Sequence, residues 1–597
     1  MDLLSHRWHF IGIGGAGMSA LADALLDLGA SVSGSDAVES EATHELTRRG
    51  ARVHIGHNPA NLGDADRVVV TVAVPPDNPE LSAARERGIP VTKRAELVGL
   101  LMDTRQGVAV AGTHGKTTTS GMIAWVLARA GLDPAYLVGS SIRGLGVGGH
   151  WGAGRHLVAE ADEYDRSFLQ MRPEVAVITN IETDHLEYYG TPDAIAAAFE
   201  QFARKVRPGG LLVLCSDDPG SRALGQRVER EGAPFRVQYY AEAEEALWRP
   251  GRVQPNDLGG SDFAVLRDGR EVARVSLRVP GRHNVLNALA AVAACVECGV
   301  SEEEAARHLG AFEGTARRFE VKGEAGGVLL VDDYAHHPTE IAATIEAARE
   351  RYPGRRVYAL FQPHTYTRTR DFLPDFARVL SAADRVIVSE IYASRERDTL
   401  GMSGKHIVER MAGASAEFAP SLSAAREALL DDLAPGDLLL VMGAGDVTHV
   451  ADDVLAALSE REDAPRSGGA SSAPSRVSWT FTPAIASELE TETGLRPITD
   501  EPMSKHDSLR VGGPAALFVA ADTVKQLVDV VLFARRRGIP HVVLGNGTNV
   551  LVGDYGIDGM VIHNRTRDIS HKILDDGNSV WSVASGVLFS RLARITC

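Results

Sequence analysis

Cysteine is scarce in this chain: there are four, Cys215, Cys295, Cys298 and Cys597, in 597 residues. Four cannot frame a protein of this length with disulfides, and the count suits a reducing, cytoplasmic setting. Cys295 and Cys298 form a CxxC, but within the apolar helical pattern NALAAVAACVECGV and with no second ligand pair nearby, so they read as packed thiols. No apolar run approaches the roughly 20 residues that span a bilayer. The opening MDLLSHRWHF lacks the basic segment and apolar stretch of a signal peptide, so no membrane insertion is expected. Cations are outnumbered, 62 Lys and Arg against 79 Asp and Glu, for a net charge of -17. Such a surface repels nucleic acid and anionic membranes, which leaves small molecules as the expected partners, met by locally concentrated positive charge.

Alternating strand and helix signals are abundant. WHFIGIGGAGMSALADALLDLGASVSGSD runs strand, glycine turn, amphipathic helix and strand, a βαβ unit. A second series starts near Gly107 with VAVAG, continues through VAVIT and LLVL, and closes on NVLNALAAVAACVEC. A third follows TARRFE, with VLLVDDYAHHPTE, RRVYALFQPH, RVIVSE and DLLLVMGAGD. These predict three α/β domains over residues 1–102, 103–314 and 315–460. A Ser, Gly, Ala and Pro-rich stretch, residues 461–477, reads as a flexible linker. Strand and helix patterns then resume, predicting a fourth folded unit over 478–597.

Gly12, Gly14 and Gly17 spell GxGxxG between a strand and a helix, with Asp36 ending the next strand. A helix N-terminus of this kind holds a diphosphate, and NAD, FAD and a UDP-sugar all carry one. AGTHGKTTTS is more specific, although Val110 stands where a strict phosphate loop has its first glycine. Backbone N–H groups around Gly112, Thr113, His114 and Gly115 can cradle phosphates, Lys116 can reach their outer oxygens, and Thr117 or Thr118 supplies a hydroxyl. Magnesium would then need acids or imidazoles at neighbouring strand ends. LVAEADEYDRSF and VAVITNIETDHLEYYG supply Glu160 and His185 as the expected ligands beside Thr117, with Asp162, Glu163 and Asp184 read as supporting or solvated. The third series contributes Arg317, Arg318, His336, His337, His364, Arg368 and Arg370, a cation cluster suited to an anionic substrate.

In this order GIGGAGMSALA with SGSD, AGTHGKTTT, EADEYDRSF, TNIETDH, GRHNVLNALAA, ARRFE, VDDYAHHPTE, FQPHTYTRTRD and MGAGD resemble the UDP-N-acetylmuramate:L-alanine ligase family, along roughly residues 5 to 458. The resemblance implies a three-domain Mur ligase. A Rossmann-like first domain would hold the UDP-sugar through Gly14, Gly15, Met18, Ser19 and Asp36. A central domain like the phosphate-loop ATPases would hold ATP and Mg²⁺, with His283, Asn284 and Asn287 near the nucleotide. A Rossmann-like third domain would bring Arg317, Arg318, His336, His364 and Arg368 to the reaction. The implied chemistry joins L-alanine to the lactyl carboxylate of UDP-N-acetylmuramate through an acyl phosphate, in peptidoglycan precursor synthesis. His336 is the expected base, on the ground that imidazole titrates near working pH. Another amino-acid ligase of the same superfamily, such as one adding glutamate to a folate, is the alternative.

Residues 503–515, MSKHDSLRVGGPA, and 544–554, LGNGTNVLVGD, resemble the FAD-binding start of the UDP-N-acetylenolpyruvoylglucosamine reductases. Gly545, Asn546, Gly547, Thr548 and Asn549 would face the FAD diphosphate, with Asn546 and Thr548 where glycine and serine are usual. The reductases' flavin loop, catalytic serine and distal glutamate have no counterpart here. The expectation is a truncated α+β domain without reductase turnover, in which FAD is suggested by the loop and opposed by the shortened pocket.

Overall fold

The computed structural model describes residues 3–71, 74–146, 148–243, 245–394, 396–411, 415–463, 483–506, 513–545, 557–566, 569–573 and 579–583. The chain divides into two compact units, Met1–Pro465 and Arg466–Cys597.

Three sheets build the first unit. The first contains β1 (Arg7–Ile11), β2 (Ser31–Asp36), β3 (Arg52–Ile55), β4 (Arg67–Val70) and β5 (Val91–Lys93), in the order β3-β2-β1-β4-β5 and parallel throughout. Four of the five residues of β1 are buried, as expected of a strand covered on both faces by crossover helices. The strand order reverses between β1 and β4, and the glycine turn after β1 opens beside that point, where such sheets bind ligands.

The second sheet is built on β6 (Gln106–Ala111), β7 (Ala135–Leu137), β8 (Gly149–His150), β9 (His156–Glu160), β10 (Val175–Ile178), β11 (Leu211–Cys215) and β12 (Arg236–Tyr240). Its parallel centre runs β12-β11-β10-β6-β9-β7. Helices Lys116–Arg129 and Arg282–Glu297 pack together over it, buried almost all round. Cys295 and Cys298 are buried free thiols in the second of these helices and at its end, and burial pushes both up. The sheet also carries an extension that the sequence reading did not anticipate: β13 (Trp248–Pro250), which pairs parallel with β12, and β14 (Gln254–Pro255), β15 (Ser261–Arg267) and β16 (Arg270–Ser276), added by antiparallel pairing.

The third sheet, β17 (Glu320–Ala325), β18 (Val328–Asp333), β19 (Arg356–Phe361), β20 (Arg385–Ser389), β21 (Ser415–Ala419) and β22 (Asp437–Met442), has the order β17-β18-β22-β19-β20-β21 with only β17 antiparallel. Its final helix, Thr448–Asp463, continues past the expected start of the linker at 461.

The second unit has a four-stranded mixed sheet, β23 (Ile498–Pro502), β24 (Pro514–Ala521), β25 (His541–Leu544) and β26 (Ile557–Asn564), in the order β23-β24-β26-β25, plus the pair β27 (Ile569–Ile573) and β28 (Ser579–Val583). Helices Pro483–Thr493 and Val524–Arg536 cover one sheet face through Leu489, Val530 and Phe533 against Leu517, Val519 and Ile562. Of the expected FAD loop, Gly545 directly follows β25, while Asn546, Gly547, Thr548 and Asn549 lie outside the described residues, as does Cys597. No helix among the described residues is long and apolar enough to cross a membrane.

Candidate functional site

The three sheets of the first unit surround a cavity of about 930 Å³. The second sheet contributes the loop between β6 and helix Lys116–Arg129. Gly112 there has φ 135° and a Cβ on it would stand 2.0 Å from Thr179 Oγ1, so this turn admits only glycine. Gly115 caps the helix in the left-handed conformation, which leaves the first turn's N–H groups turned toward the loop. The end of β10 buttresses the loop. Asn180 accepts from the amides of Thr113 and His114, and Thr113 Oγ1 accepts from the Glu182 amide at 2.9 Å.

Lys116 Nζ donates to the Gly112 and Thr113 carbonyls and to both oxygens of Glu163, at 3.0 and 2.8 Å. Burial disfavours its charge, but Glu163 and Asp162 outweigh that and hold the ammonium above its ordinary value. Thr117 Oγ1 donates to Glu160 Oε1 at 2.9 Å, and Gly139 N–H to Glu160 Oε2 at 2.8 Å. His185, with a left-handed φ of 53°, places Nε2 3.9 Å from Glu163 and 3.7 Å from Asp184. Thr117, Glu160 and His185 therefore line one cavity, with Glu163 lying between Lys116 and His185. A hydroxyl, two carboxylates and an imidazole are a donor set that fits a hard divalent cation. Glu163 is accordingly not a solvated charge: it is 3% exposed and paired.

Asp184 is buried as well, and it binds Arg368 of the third sheet with three hydrogen bonds of 2.7 to 3.1 Å. The guanidinium of Arg368 also donates to His364 Nδ1 at 3.1 Å, and the His364 ring stacks on Tyr392. Arg318 reaches Glu340 at 3.4 Å; Arg317 is tied to the Gly443 carbonyl at 2.6 Å, and both lie over Tyr334. His336 Nδ1 donates to the Tyr334 carbonyl at 2.9 Å, which leaves Nε2 as its unprotonated nitrogen. The expectation that this imidazole titrates near working pH is not met. Burial, reinforced by Arg368, holds it down to about 3, and His364 is held at about 4 for the same reasons.

The sequence reading missed Glu340. It stands one helical turn after His336, and His114, Arg318 and His336 all converge on it. Burial works against its charge, but the groups around it hold its carboxyl well below the usual range. Its signal in the sequence was the i, i+4 spacing in HHPTE.

A neighbouring cavity of about 160 Å³ joins Gly115 and Thr118 of the loop to His283, Asn284, Asn287, Arg318 and Asp333. Asn287 donates to Asn284 Oδ1 at 3.0 Å and Asn284 to the Pro280 carbonyl at 2.6 Å, so both amides are held in fixed orientations. His283 is exposed on the first turn of helix Arg282–Glu297, where the crowded cavity wall and the nearby Arg318 hold its imidazole below the ordinary value.

In the first sheet, Gly14 N–H donates to Asp36 Oδ2 at 2.8 Å, so Asp36 braces the glycine turn. Gly15 and Ser19 lie on the turn and the first helical turn. The side chain of Met18 goes to the hydrophobic core, 2% exposed, because helix Ala16–Asp27 must bury one face on the sheet, and the Met18 N–H donates to the Gly15 carbonyl. Arg94, not singled out from sequence, lines the large cavity against Gly17, with its Nε buried and without a hydrogen-bond partner among the described residues. Below the turn, Glu80 is fully buried and joins His9, Ser35, Asn61 and the Asn58 amide.

Residues 7–106, 110–295 and 317–445 match the Mur ligase family descriptions "catalytic domain", "middle domain" and "glutamate ligase domain". A UDP-N-acetylmuramate--L-alanine ligase from Kineococcus radiotolerans is 48% identical over 460 residues, 76% of this chain and 97% of that protein. The chain belongs to the Mur ligase family.

The Mycobacterium tuberculosis protein of the same name is 45% identical over 473 residues, 76% of this Mur ligase and 95% of the relative. Among solved structures, the UDP-N-acetylmuramate-alanine ligase of Thermotoga maritima is 30% identical with a TM-score of 0.63, covering 77% of this chain and 99% of that one. A murein peptide ligase from Psychrobacter arcticus is 26% identical with a TM-score of 0.58, over 76% and 99%. Beyond the Mur ligase unit, residues 515–596 match an FAD binding domain.

Proposed function

We propose that this Mur ligase joins L-alanine to the lactyl carboxylate of UDP-N-acetylmuramate at the expense of ATP, a step of peptidoglycan precursor synthesis. The carrying observation is that a phosphate loop with Lys116, the Thr117–Glu160 pair and the cations Arg318, His336, His364 and Arg368 face one cavity, into which Arg94 of the first sheet also projects. The curated relatives named for this reaction support it.

The reaction makes a poor acylating agent into a good one. A carboxylate oxygen of the substrate attacks the γ-phosphorus of ATP, ADP leaves, and an acyl phosphate forms. The alanine amino group then attacks the acyl carbon, phosphate departs with the C–O bonding pair, and an amide remains. Phosphoryl transfer needs positioning and charge neutralisation more than covalent help. The N–H groups of Gly115, Lys116 and Thr117 at the helix start hold the phosphates, those of Thr113 and His114 being engaged by Asn180, and Lys116 leaves Glu163 to reach their oxygens. Thr117 and Glu160, with His185 and Glu163, would hold Mg²⁺, which when bound neutralises phosphate charge. His283, Asn284 and Asn287 line the nucleoside side. Gly14, Gly15, Ser19 and Arg94 receive the UDP diphosphate at the helix N-terminus. His336 presents a neutral Nε2 that takes the alanine proton, its basicity raised once anionic substrate stands beside it. Arg318 and Arg368 balance charge on the acyl phosphate. No step is assigned to the second unit.

Phosphate release with UDP-N-acetylmuramate, ATP, Mg²⁺ and L-alanine, each omitted in turn, tests the reading. Release must need all four, and a panel of amino acids must favour alanine. Turnover without the UDP-sugar, or a preference for glutamate, overturns it.

A further inference from the structure

His114 of the phosphate loop, Glu182 after β10 and His337 after β18 each offer one ligand atom, and these atoms lie within 4.8 Å of one another. None of the three belongs to the Thr117, Glu160 and His185 set. His114 Nε2 stands 3.6 Å from Glu182 Oε2, close to the separation of two donors on one ion whose bonds are about 2.0–2.2 Å. The Nε2 atoms of both His114 and His337 are buried without a hydrogen-bond partner among the described residues, and His337 is only 4% exposed. His114 Nε2 still has the Glu182 carboxylate beside it as an ion-pair partner, whereas His337 Nε2 has none among the described residues, and a buried imidazole nitrogen left so is costly unless something completes it.

The surroundings are those of a ligand site rather than of a collapsed core. His114 Nδ1 faces Glu340 at 3.3 Å, the carboxylate–imidazole arrangement that turns the other nitrogen outward as a ligand. Thr339 Oγ1 donates to Glu182 Oε2 at 2.7 Å and fixes that carboxylate. The trio forms the wall between the 160 Å³ cavity, which His114 and Glu182 line, and an open groove of about 490 Å³, which Glu182 and His337 line, so an ion has a route in. His337 Nδ1 accepts the Thr339 amide at 3.3 Å. Ligation through Nε2 moves the ring proton to Nδ1 and gives up that long bond, a loss the size of one helix cap.

We infer that His114, Glu182 and His337 form a binding site for a borderline transition-metal dication, zinc above all, separate from the magnesium site and independent of the ligase reading. Two imidazoles and one carboxylate select zinc over magnesium, which prefers oxygen donors and retains its waters. The fourth position faces the cavities. A bound ion ties the phosphate loop and the end of β10 to the helix that follows β18, and so holds the second and third sheets together.

The test uses the full chain stripped with chelator and equilibrated with zinc by dialysis in excess Mg²⁺. Wild type should retain one ion per chain and gain thermal stability from it. Glu182→Gln and His337→Gln should each weaken retention at least about 10-fold, while Glu160→Gln and His185→Gln leave it unchanged. X-ray absorption on the zinc-loaded wild type, which does not depend on any variant folding, should show two imidazoles and an oxygen shell. The inference is overturned if zinc survives Glu182→Gln and His337→Gln, if Glu160→Gln removes it, if wild type retains none, or if the shell contains sulfur or only oxygen.

Discussion

Replacing Asp184 by Asn removes the charge that holds Arg368 across the junction of the second and third sheets. Both side chains are at most 9% exposed, and three hydrogen bonds of 2.7 to 3.1 Å join them. Losing one partner of such a pair costs about 3–5 kcal/mol, because the other charge stays buried and uncompensated. Since the partners come from different sheets, the cost falls on the arrangement in which those sheets meet. At about 1.4 kcal/mol per tenfold, kcat/KM for phosphate release should fall by roughly 10² to 10³. Small-angle scattering should show a larger radius of gyration. Removing the stranded cation as well, in Asp184→Asn with Arg368→Met, should restore compactness but not activity, which separates the latch from the role of Arg368 toward substrate. The wild-type contact should also be insensitive to mild acid. Burial opposes the Asp184 charge but Arg368 outweighs it and holds its carboxyl far below the usual range. The stabilisation is therefore complete above the unfolded carboxylate value and is lost only as pH falls through the depressed one. Activity within threefold of wild type in Asp184→Asn, with unchanged scattering, would refute the reasoning.

Lys116→Ala should lower kcat by at least about 10³-fold in the phosphate-release assay, the scale of a cation acting on a transferring phosphoryl group; a loss confined to KM for ATP would mean that Lys116 only binds. Arg94→Ala should raise KM for the UDP-sugar about 10- to 100-fold with little change in kcat, the worth of a charged hydrogen bond, and an unchanged KM would remove Arg94 from the diphosphate site. Glu80 is held down to about 2 by hydrogen bonds from His9, Ser35, Asn58 and Asn61 that overcome its burial. It contributes on the order of 3 kcal/mol above pH 4.5, lost as pH falls through about 2, so Glu80→Gln should lower the unfolding midpoint at pH 7 far more than at pH 2. His336, neutral above about pH 3, should give kcat/KM no acid limb near pH 6.5; a limb there that disappears in His336→Gln would contradict its burial. That burial should also cost stability as pH falls below about 6.5, where the unfolded chain takes up a proton that the folded one refuses.

Most of the architecture was legible in sequence because the parallel strands are continuous apolar runs ending at glycine or polar loops, and β1, β6, β10 and β18 all follow that pattern. The extension β13 to β16 was not legible: its strands are short, partly exposed and alternate weakly, as in β15, where only Phe263 and Val265 are buried. For the site, the loop AGTHGKTTTS and the cation motifs of the third series could be named because chemistry at a strand end is written in local residue types. Which acid meets which cation was not written there. Glu163 and Asp184 could be read only as supporting or solvated acids among several neighbours, and Met18 as part of a binding loop, where the structure has helix Ala16–Asp27 turn its side chain inward.

Local order along the chain thus determined where phosphate-binding turns, helix N-termini and clustered arginines would lie, since these follow from a few adjacent residues and their backbone geometry. Tertiary structure alone decided the pairing of Lys116 with Glu163, 47 residues away, and of Arg368 with Asp184, 184 residues away. It also decided that His336 is neutral. The reason is that desolvation and Coulomb attraction depend on distance and burial in space, and neither quantity is carried by sequence separation.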